Sequence, residues 1–205
     1  MADMSREVIA VDADEVSFPF LTEFTKYHNQ QFGTSYRPDE FDSYYFHKVM
    51  GLTRQEVKER IFAFHDVDDS LVPPIEGSKT ALDQIAQHYD IVTVTARHPQ
   101  FQEQTRRWLV DIHEMPFRDV YAIGHEDTAE HPRSKVEVCQ EIGAVALIDD
   151  SPKHLMDCGE AGMDGILFGD YSWNQAKEEL PERVTRCVDW PAVLHYFGID
   201  VSSTV

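Results

Sequence analysis

The sequence predicts an α/β fold built on a doubly wound, mostly parallel sheet. Three apolar runs carry this prediction, at residues 8–11, 91–94 and 144–148. They lack a regular alternation of polar and apolar side chains, which is typical of strands that helices cover on both faces. From about residue 75 onward, strand and helix patterns alternate as they do in a Rossmann-like sheet.

Segments with helical spacing separate these runs. Residues 77–88, 101–112 and 134–142 place apolar side chains three and four positions apart, and each segment predicts a helix. Residues 166–168 predict a further strand, and a final helix is expected at residues 191–197.

The segment at residues 18–72 has a different pattern. Aromatic and aliphatic side chains recur there at helical intervals, and two prolines follow it at positions 73 and 74. We therefore expect a small helical cap at residues 18–72. It would be inserted after the first strand into an α/β core formed by residues 1–17 and 73–205.

The composition limits the partners of this chain. Of 205 residues, 42% are hydrophobic and 27% are charged, which argues against disorder and against a membrane bundle. The formal net charge of −19 repels the phosphates of duplex nucleic acid and anionic membrane surfaces, so we expect neither partner. A small anionic substrate then requires a divalent cation, or local Lys and Arg side chains, in its binding cleft.

The three cysteines, Cys139, Cys158 and Cys187, are widely spaced and form no CxxC motif. This pattern favours buried, reduced thiols over disulfides or zinc ligands. The chain does not open with a signal-peptide pattern, and no apolar run approaches the roughly 20 residues that cross a bilayer. We expect a cytoplasmic protein, whose oligomeric state the sequence leaves open.

Acidic residues follow the first and the third apolar run. Asp12 and Asp14 come after one of them, and Asp149 and Asp150 after the other. Because the carboxyl ends of parallel strands share one edge of the sheet, we expect these carboxylates to converge. Their mutual repulsion calls for a cation, and Mg²⁺ prefers such oxygen ligands. Either pair alone would also fit a solvated loop or a helix cap.

Two further polar residues fit the same edge of the sheet. Thr95 ends the second apolar run, where its hydroxyl and the backbone N–H groups of Ala96 and Arg97 can bind a phosphoryl group. Lys135 precedes Asp149 by one predicted helix and can neutralise both phosphate and carboxylates. Taken singly, each is more typical of an ordinary strand or of the protein surface.

Four motifs, taken together and in chain order, resemble the four-motif signature of the haloacid dehalogenase superfamily of phosphohydrolases. The motifs are DxDxV after a strand, a strand that ends in Thr, a Lys, and a strand that ends in Asp-Asp. The resemblance implies a phosphatase in which Asp12 attacks phosphorus and Asp14 is the general acid and base. It also implies that Thr95 and Lys135 stabilise the phosphoryl group. The Mg²⁺ ligands that it implies are the side chains of Asp12, Asp149 and Asp150 and the main-chain carbonyl of Asp14.

Residues 72–77 and 166–174 resemble one branch of that superfamily, the 5′(3′)-deoxyribonucleotidases. The second segment carries the LF-x-x-x-x-W/Y-N pattern of this branch. The resemblance implies a nucleoside monophosphate as the substrate, with cap aromatics stacked on its base. The candidates for that contact are Phe18, Phe20 and Tyr45, with Tyr44 and Phe46 beside them, although aromatics at helical spacing are more often core residues.

The chain departs from the branch at two places. Glu15 stands where the branch has Gly, and Ala96 stands where it has a small hydroxyl residue. Arg97 is expected either to contact a second anionic group of the substrate or to lie on the surface. Residues 65–69 (HDVDD) are expected to form a hydrated loop rather than a second metal site.

Other functions remain open at this stage. One is a phosphatase of the same superfamily that acts on a sugar phosphate, an organic-acid phosphate or a polynucleotide 3′ end. Another is a binding or regulatory protein that keeps the fold without catalysis.

Overall fold

A central sheet organises the structure, a computed structural model that describes residues 6–124, 133–175 and 179–200. Its strands are β1 (Val8–Val11), β2 (Asp90–Thr95), β3 (Phe117–Ala122), β4 (Ala144–Asp149), β5 (Asp164–Phe168) and β6 (Val184–Cys187). They lie in the order β3-β2-β1-β4-β5-β6, and every neighbouring pair is parallel. The predicted α/β, doubly wound fold is confirmed. The chain changes direction across the sheet between β1 and β4, which is where such sheets bind ligands.

Helices connect and cover the strands. They are α1 (Phe20–Phe32), α2 (Phe46–Met50), α3 (Arg54–His65), α4 (Ser78–Ile85), α5 (Gln102–Arg106), α6 (Lys135–Glu141), α7 (Pro152–Leu155) and α8 (Trp190–Tyr196). A π-helical segment, Arg107–Ile112, continues α5. The helices predicted at residues 77–88, 134–142 and 191–197 correspond to α4, α6 and α8.

The two faces of the sheet carry separate cores, because successive strand residues point to opposite sides. In β1, Ile9 and Val11 join a core that includes side chains of α1, α4 and α8. Val8 and Ala10 join the other core, which includes side chains of α6 and α7. Residues 9–11 of β1 are completely buried, so the strand is held from both sides. This rigid strand positions the loop that follows it.

The segment between β1 and α4 contains α1, α2 and α3. Phe20 and Phe24 of α1 stack with ring centroids 5.6 Å apart, and the ring of Phe64 in α3 packs edge-on against both. The chain leaves the sheet and returns at one point, because the Ile75 N–H donates to the Ser17 carbonyl at 2.9 Å. The division into a cap at residues 18–72 and a core remains a prediction.

The edge strand β3 has no counterpart in the sequence-based prediction. Its central residues Arg118 and Asp119 are exposed, while Phe117 and Val120 are buried. An edge strand needs only one neighbour, so it tolerates charged residues that hide the strand pattern.

The three cysteines are free and buried, as the sequence predicted. Among the described residues, no helix has both the length and the apolar character needed to cross a membrane.

Candidate active site

The carboxyl ends of β1 and β4 bring three aspartates together. Oxygen atoms of Asp12, Asp149 and Asp150 lie within 4.8 Å of one another, and all three residues are buried. The Asp12 N–H donates to the Ile148 carbonyl at 2.9 Å, which fixes the end of one strand against the other. The sequence predicted this meeting of distant acids from their positions after two buried strands.

Lys135 lies between two of these carboxylates. Its Nζ is 2.7 Å from Asp12 Oδ2 and 2.6 Å from Asp149 Oδ2, and its side chain is 1% exposed. The start of α6 fixes this lysine, because Ser134 and Glu137 form a reciprocal capping box around the helix N-terminus. Burial alone would lower the pKa of Lys135, but the two carboxylates raise it above its ordinary value, so the ammonium stays charged.

One lysine does not compensate three buried carboxylates. Burial raises the pKa of Asp12 to about 6, although Lys135 opposes the shift. Burial and repulsion from Asp149 and Asp12 raise the pKa of Asp150 well above its ordinary range. Burial also acts to raise the pKa of Asp149, but Lys135 and His154 lower it below its ordinary value.

The chemistry of this donor set fits a magnesium ion. Mg²⁺ takes oxygen ligands at roughly 2.0–2.1 Å, so ligands on opposite sides lie about 4.2 Å apart. The aspartate oxygens lie within 4.8 Å of one another, so a single small cation could contact all three. A divalent cation would also relieve the repulsion that raises the pKa of Asp150.

Hydrogen bonds fix the orientations of Asp149 and Asp150. Asp149 Oδ1 accepts from the Ser151 N–H at 2.9 Å, and His154 Nδ1 lies 3.2 Å from the same oxygen. Asp150 Oδ2 accepts from the Tyr44 hydroxyl at 2.9 Å and from Trp173 Nε1 at 2.7 Å. Tyr44 belongs to the segment between β1 and α4, so that segment reaches the aspartate cluster directly.

Asp14 lies beside the cluster and is paired with Arg97. Its carboxylate is 25% exposed, and Arg97 Nη2 donates to its Oδ1 at 2.6 Å. Arg97 is buried, with a guanidinium group directed inward. The surface position that the sequence allowed for Arg97 is therefore wrong, and in this structure its carboxylate partner is Asp14.

Thr95 and Ala96 follow β2 at the same edge of the sheet. Thr95 is completely buried, and its Oγ1 accepts from the Arg97 N–H at 3.3 Å. Ala96 and Arg97 line the cavity that opens above the aspartates. Thr95 thus stabilises the turn that carries these two residues.

A cavity of about 530 Å³ opens over Asp12, Asp14 and Asp150. This volume lies within the roughly 300–1,000 Å³ of small-molecule sites. Its walls carry many rings, and the aromatic residues that line it are Phe20, Tyr44, Tyr45, Phe46, Phe62, Phe101 and Trp173. Phe18, in contrast, lies below Arg97, 2% exposed and packed edge-on against Trp108.

Glu15 occupies the position at which the resembling branch has Gly. Its φ of +58° lies in the left-handed region, which a non-glycine residue rarely adopts. The Glu15 carboxyl group stabilises this backbone conformation, because its Oε1 accepts from the Leu21 N–H at 2.5 Å near the start of α1. Burial raises the pKa of Glu15 to about 8.

A family model decides the affiliation of the chain. The family described as "5' nucleotidase, deoxy (Pyrimidine), cytosolic type C protein" matches residues 6–194. The chain belongs to this family. It is thus a phosphoric monoester hydrolase of the haloacid dehalogenase superfamily. Comparison with curated proteins finds no significant match.

Solved structures share the fold at low sequence identity. A haloacid dehalogenase-like hydrolase from Streptococcus pneumoniae has a TM-score of 0.64 at 12% identity, over 94% of this chain and 98% of its own. A predicted phosphoglycolate phosphatase from Haemophilus somnus has a TM-score of 0.61 at 14% identity, over 96% and 100%. The HAD-hydrolase YfnB from Bacillus subtilis, described as bound to magnesium, has a TM-score of 0.61 at 14% identity, over 95% and 100%.

Sequence reasoning missed three contacts of this nucleotidase-family site. The Tyr44 and Trp173 bonds to Asp150 join residues 106 and 23 positions apart, for which no local pattern exists. The contact of His154 with Asp149 could have been predicted from the sequence. His154 stands five residues after Asp149, in the helix α7 that directly follows β4.

His65 is a buried titratable group on the cavity wall. Its ring packs 4.3 Å from that of Phe101, and burial, with the nearby Arg97 charge, lowers its pKa to about 3. In the unfolded chain the imidazole gains a proton near pH 6.5, whereas in the folded protein it stays neutral. The unfolded state therefore binds more protons between pH 6.5 and 3, and stability falls as the pH falls through this window.

Replacing His65 should reduce this acid sensitivity. Between pH 7 and pH 5 we expect His65→Phe to lose about 2 kcal/mol less unfolding free energy than the wild type. Urea unfolding at both pH values measures the difference, with the exposed His88→Phe as the control variant. Equal losses in His65→Phe and the wild type would show that His65 is not held neutral.

Proposed function

We propose that the protein is a Mg²⁺-dependent phosphomonoesterase that works through an aspartyl-phosphate intermediate, with a nucleoside monophosphate as its substrate. The observation that carries the proposal is the cluster of Asp12, Asp149 and Asp150 around Lys135, open to a cavity with aromatic walls. Membership of the deoxynucleotidase family supports the same chemistry.

Asp12 is the nucleophile in this proposal. One of its carboxylate oxygens forms a bond to phosphorus as the bond from phosphorus to the leaving oxygen breaks, and Asp14 gives that oxygen its proton. A water molecule then passes a proton to Asp14 and attacks the phosphorus of the aspartyl phosphate. Inorganic phosphate leaves, and both carboxyl groups return to their starting states.

Lys135 and Thr95 stabilise the charge of the transferring group. Lys135 carries a fixed positive charge 2.7 Å from Asp12. Thr95 supports the turn that brings Ala96 and Arg97 to the cavity wall, because its Oγ1 accepts from the Arg97 N–H. Asp12, Asp149 and Asp150 would hold the metal with the main-chain carbonyl of Asp14. When bound, Mg²⁺ neutralises phosphate oxygens and the carboxylates that face them.

The cavity walls support a substrate with a planar base. Phe20 and Tyr45, predicted for base contacts, both line the cavity, and Tyr45 is 42% exposed. Flat rings bury a nucleobase at little entropic cost, whereas a sugar phosphate of similar size presents mostly hydroxyl groups. Phe18, the third candidate for base contact, packs beneath the Arg97 guanidinium group rather than on this wall.

Residues 18–72 act in this proposal as a cap that selects the leaving group and excludes water. Tyr44 and the α3 side chains on the cavity wall belong to this segment. We place the enzyme in the cytoplasm, since three free cysteines accord with a reducing compartment.

A substrate panel tests the proposal. With Mg²⁺ present, we expect release of inorganic phosphate from an aryl phosphate, and at least about tenfold higher kcat/KM for nucleoside monophosphates than for sugar and organic-acid phosphates. Removal of Mg²⁺ by a chelator should stop the reaction. Turnover of sugar phosphates alone would refute the nucleotide assignment, and full activity in chelator would refute the metal-dependent mechanism.

A further inference from the structure

We propose that Arg97 is a positioning residue that holds Oδ1 of Asp14, so that Oδ2 is the oxygen that exchanges protons with the leaving group and with water. This inference rests on the proposed function, because it assigns an orientation to the general acid and base of that reaction. Arg97 directly follows Ala96, one of the two positions at which the chain departs from the resembling nucleotidases.

The ion pair between Arg97 and Asp14 is asymmetric. Asp14 Oδ1 accepts two bonds, from Arg97 Nη2 at 2.6 Å and from Nε at 3.1 Å. Among the residues that the structure describes, Asp14 Oδ2 accepts only from Nε, which it shares with Oδ1, at 3.1 Å. One oxygen is thus strongly held and the other retains room for a further partner.

Arg97 is itself held in place on its remaining side. Its Nη1 donates to Thr105 Oγ1 at 3.2 Å, and that hydroxyl donates to the Phe101 carbonyl at 2.8 Å. The guanidinium carbon lies 4.7 Å from the centre of the Phe18 ring, which forms its floor. With a side chain only 3% exposed, Arg97 has a fixed direction.

The backbone at Asp14 is fixed, but its side chain needs a partner to have a fixed orientation. The loop after β1 is a tight turn, in which the Ser17 and Phe18 N–H groups donate to the Ala13 carbonyl at 2.9 and 2.7 Å. The next residue, Glu15, has a φ of +58°. This turn fixes the main chain, but the Asp14 carboxylate is 25% exposed and could rotate freely without Arg97.

A bound phosphate could alternatively be the true partner of Arg97. In that case the residue would stabilise the phosphoryl oxygens directly, and its removal would slow every substrate to the same extent. A positioning role affects only the two proton transfers of Asp14, and the first of them, which enters kcat/KM, matters most when the leaving oxygen is a strong base. Dependence on the leaving group therefore separates the two roles.

The test compares Arg97→Met with the wild type on a series of phosphate esters in Mg²⁺. For alkyl and phenyl phosphates, whose leaving oxygens need a proton, we expect Arg97→Met to lower kcat/KM, which reports the steps up to departure of the leaving group, by roughly 10²-fold. For 4-nitrophenyl phosphate, whose leaving group departs as the anion, the loss of kcat/KM should stay below about fivefold, because kcat/KM excludes the later water step in which Asp14 also acts. Equal losses across the series, or no loss for any ester, would overturn the proposal.

Two further variants guard against misfolding and against a simple charge effect. Thr105→Val removes the anchor of Arg97 Nη1 and should show the same selectivity at a smaller size, about three- to tenfold. Arg97→Lys keeps the charge but not the two-pronged contact, so it should behave like Arg97→Met, and full rescue by Lys would contradict the proposal. Arg106→Met, at a 48% exposed position, is the control.

The outcomes also separate this inference from the proposed function. Should the wild type hydrolyse none of the esters, the phosphatase assignment itself fails. Should the wild type hydrolyse them all while the variants lose every substrate equally, only the role of Arg97 fails.

Discussion

Asp12→Asn is expected to lower kcat for phosphate esters by at least about 10³-fold, because an amide oxygen is a poor nucleophile and cannot form the acyl phosphate. The fold should survive, since Asn can still accept the Ala13 N–H that binds Asp12 Oδ1 at 2.7 Å. Phosphate release at saturating Mg²⁺ and substrate measures the effect.

The control for this substitution is Asp111→Asn, at an exposed site where Asp111 pairs with Arg106. We expect the control to retain wild-type kcat. Activity of Asp12→Asn within tenfold of the wild type would contradict a nucleophilic role for Asp12.

Lys135→Met should damage both stability and catalysis. Its removal leaves Asp12 and Asp149 buried without the ammonium that lies within 2.7 Å of both, and breaking such a buried pair costs about 3–5 kcal/mol. The lost charge at the phosphate should also lower kcat by roughly 10²–10³-fold. Urea unfolding and phosphate release measure the two effects.

Magnesium gives this prediction a second readout. Because Mg²⁺ and Lys135 compensate the same carboxylates, MgCl2 should raise the Tm of Lys135→Met more than that of the wild type. Lys79→Met removes an exposed lysine that pairs with Asp83, and it should show neither effect. An unchanged unfolding free energy in Lys135→Met would show that the buried ion pairs do not support the fold.

Much of the site followed from where polar residues stand relative to strands. Asp12 directly follows β1 and Asp149 ends β4, and both strands are buried on both faces, so the shared edge of a parallel sheet had to bring the two residues together. The position of Lys135 could be predicted in the same way, since a capping box marks the start of its helix in the sequence.

Contacts between side chains that are distant in the chain could not be predicted from the sequence. Nothing in the chain indicates that Arg97 turns inward to Asp14, 83 residues away, because an arginine after a strand fits the surface or an anion equally well. The bond from Tyr44 to Asp150 depends on how the α1–α3 segment packs over the sheet, which no local pattern encodes. The strand β3 was missed because its exposed Arg118 and Asp119 interrupt the apolar run.

Trapping the covalent intermediate tests the central claim most directly. Wild-type enzyme mixed with substrate and Mg²⁺, stopped by acid and treated with borohydride, should contain homoserine at position 12, since borohydride reduces an acyl phosphate but not a free carboxylate. Mass spectrometry of the peptide that contains Asp12 would show the change. With 4-nitrophenyl phosphate, whose leaving group needs no proton, the phosphoenzyme should accumulate in Asp14→Asn and strengthen the signal. An unmodified Asp12 during turnover, or homoserine at another aspartate, would contradict the account.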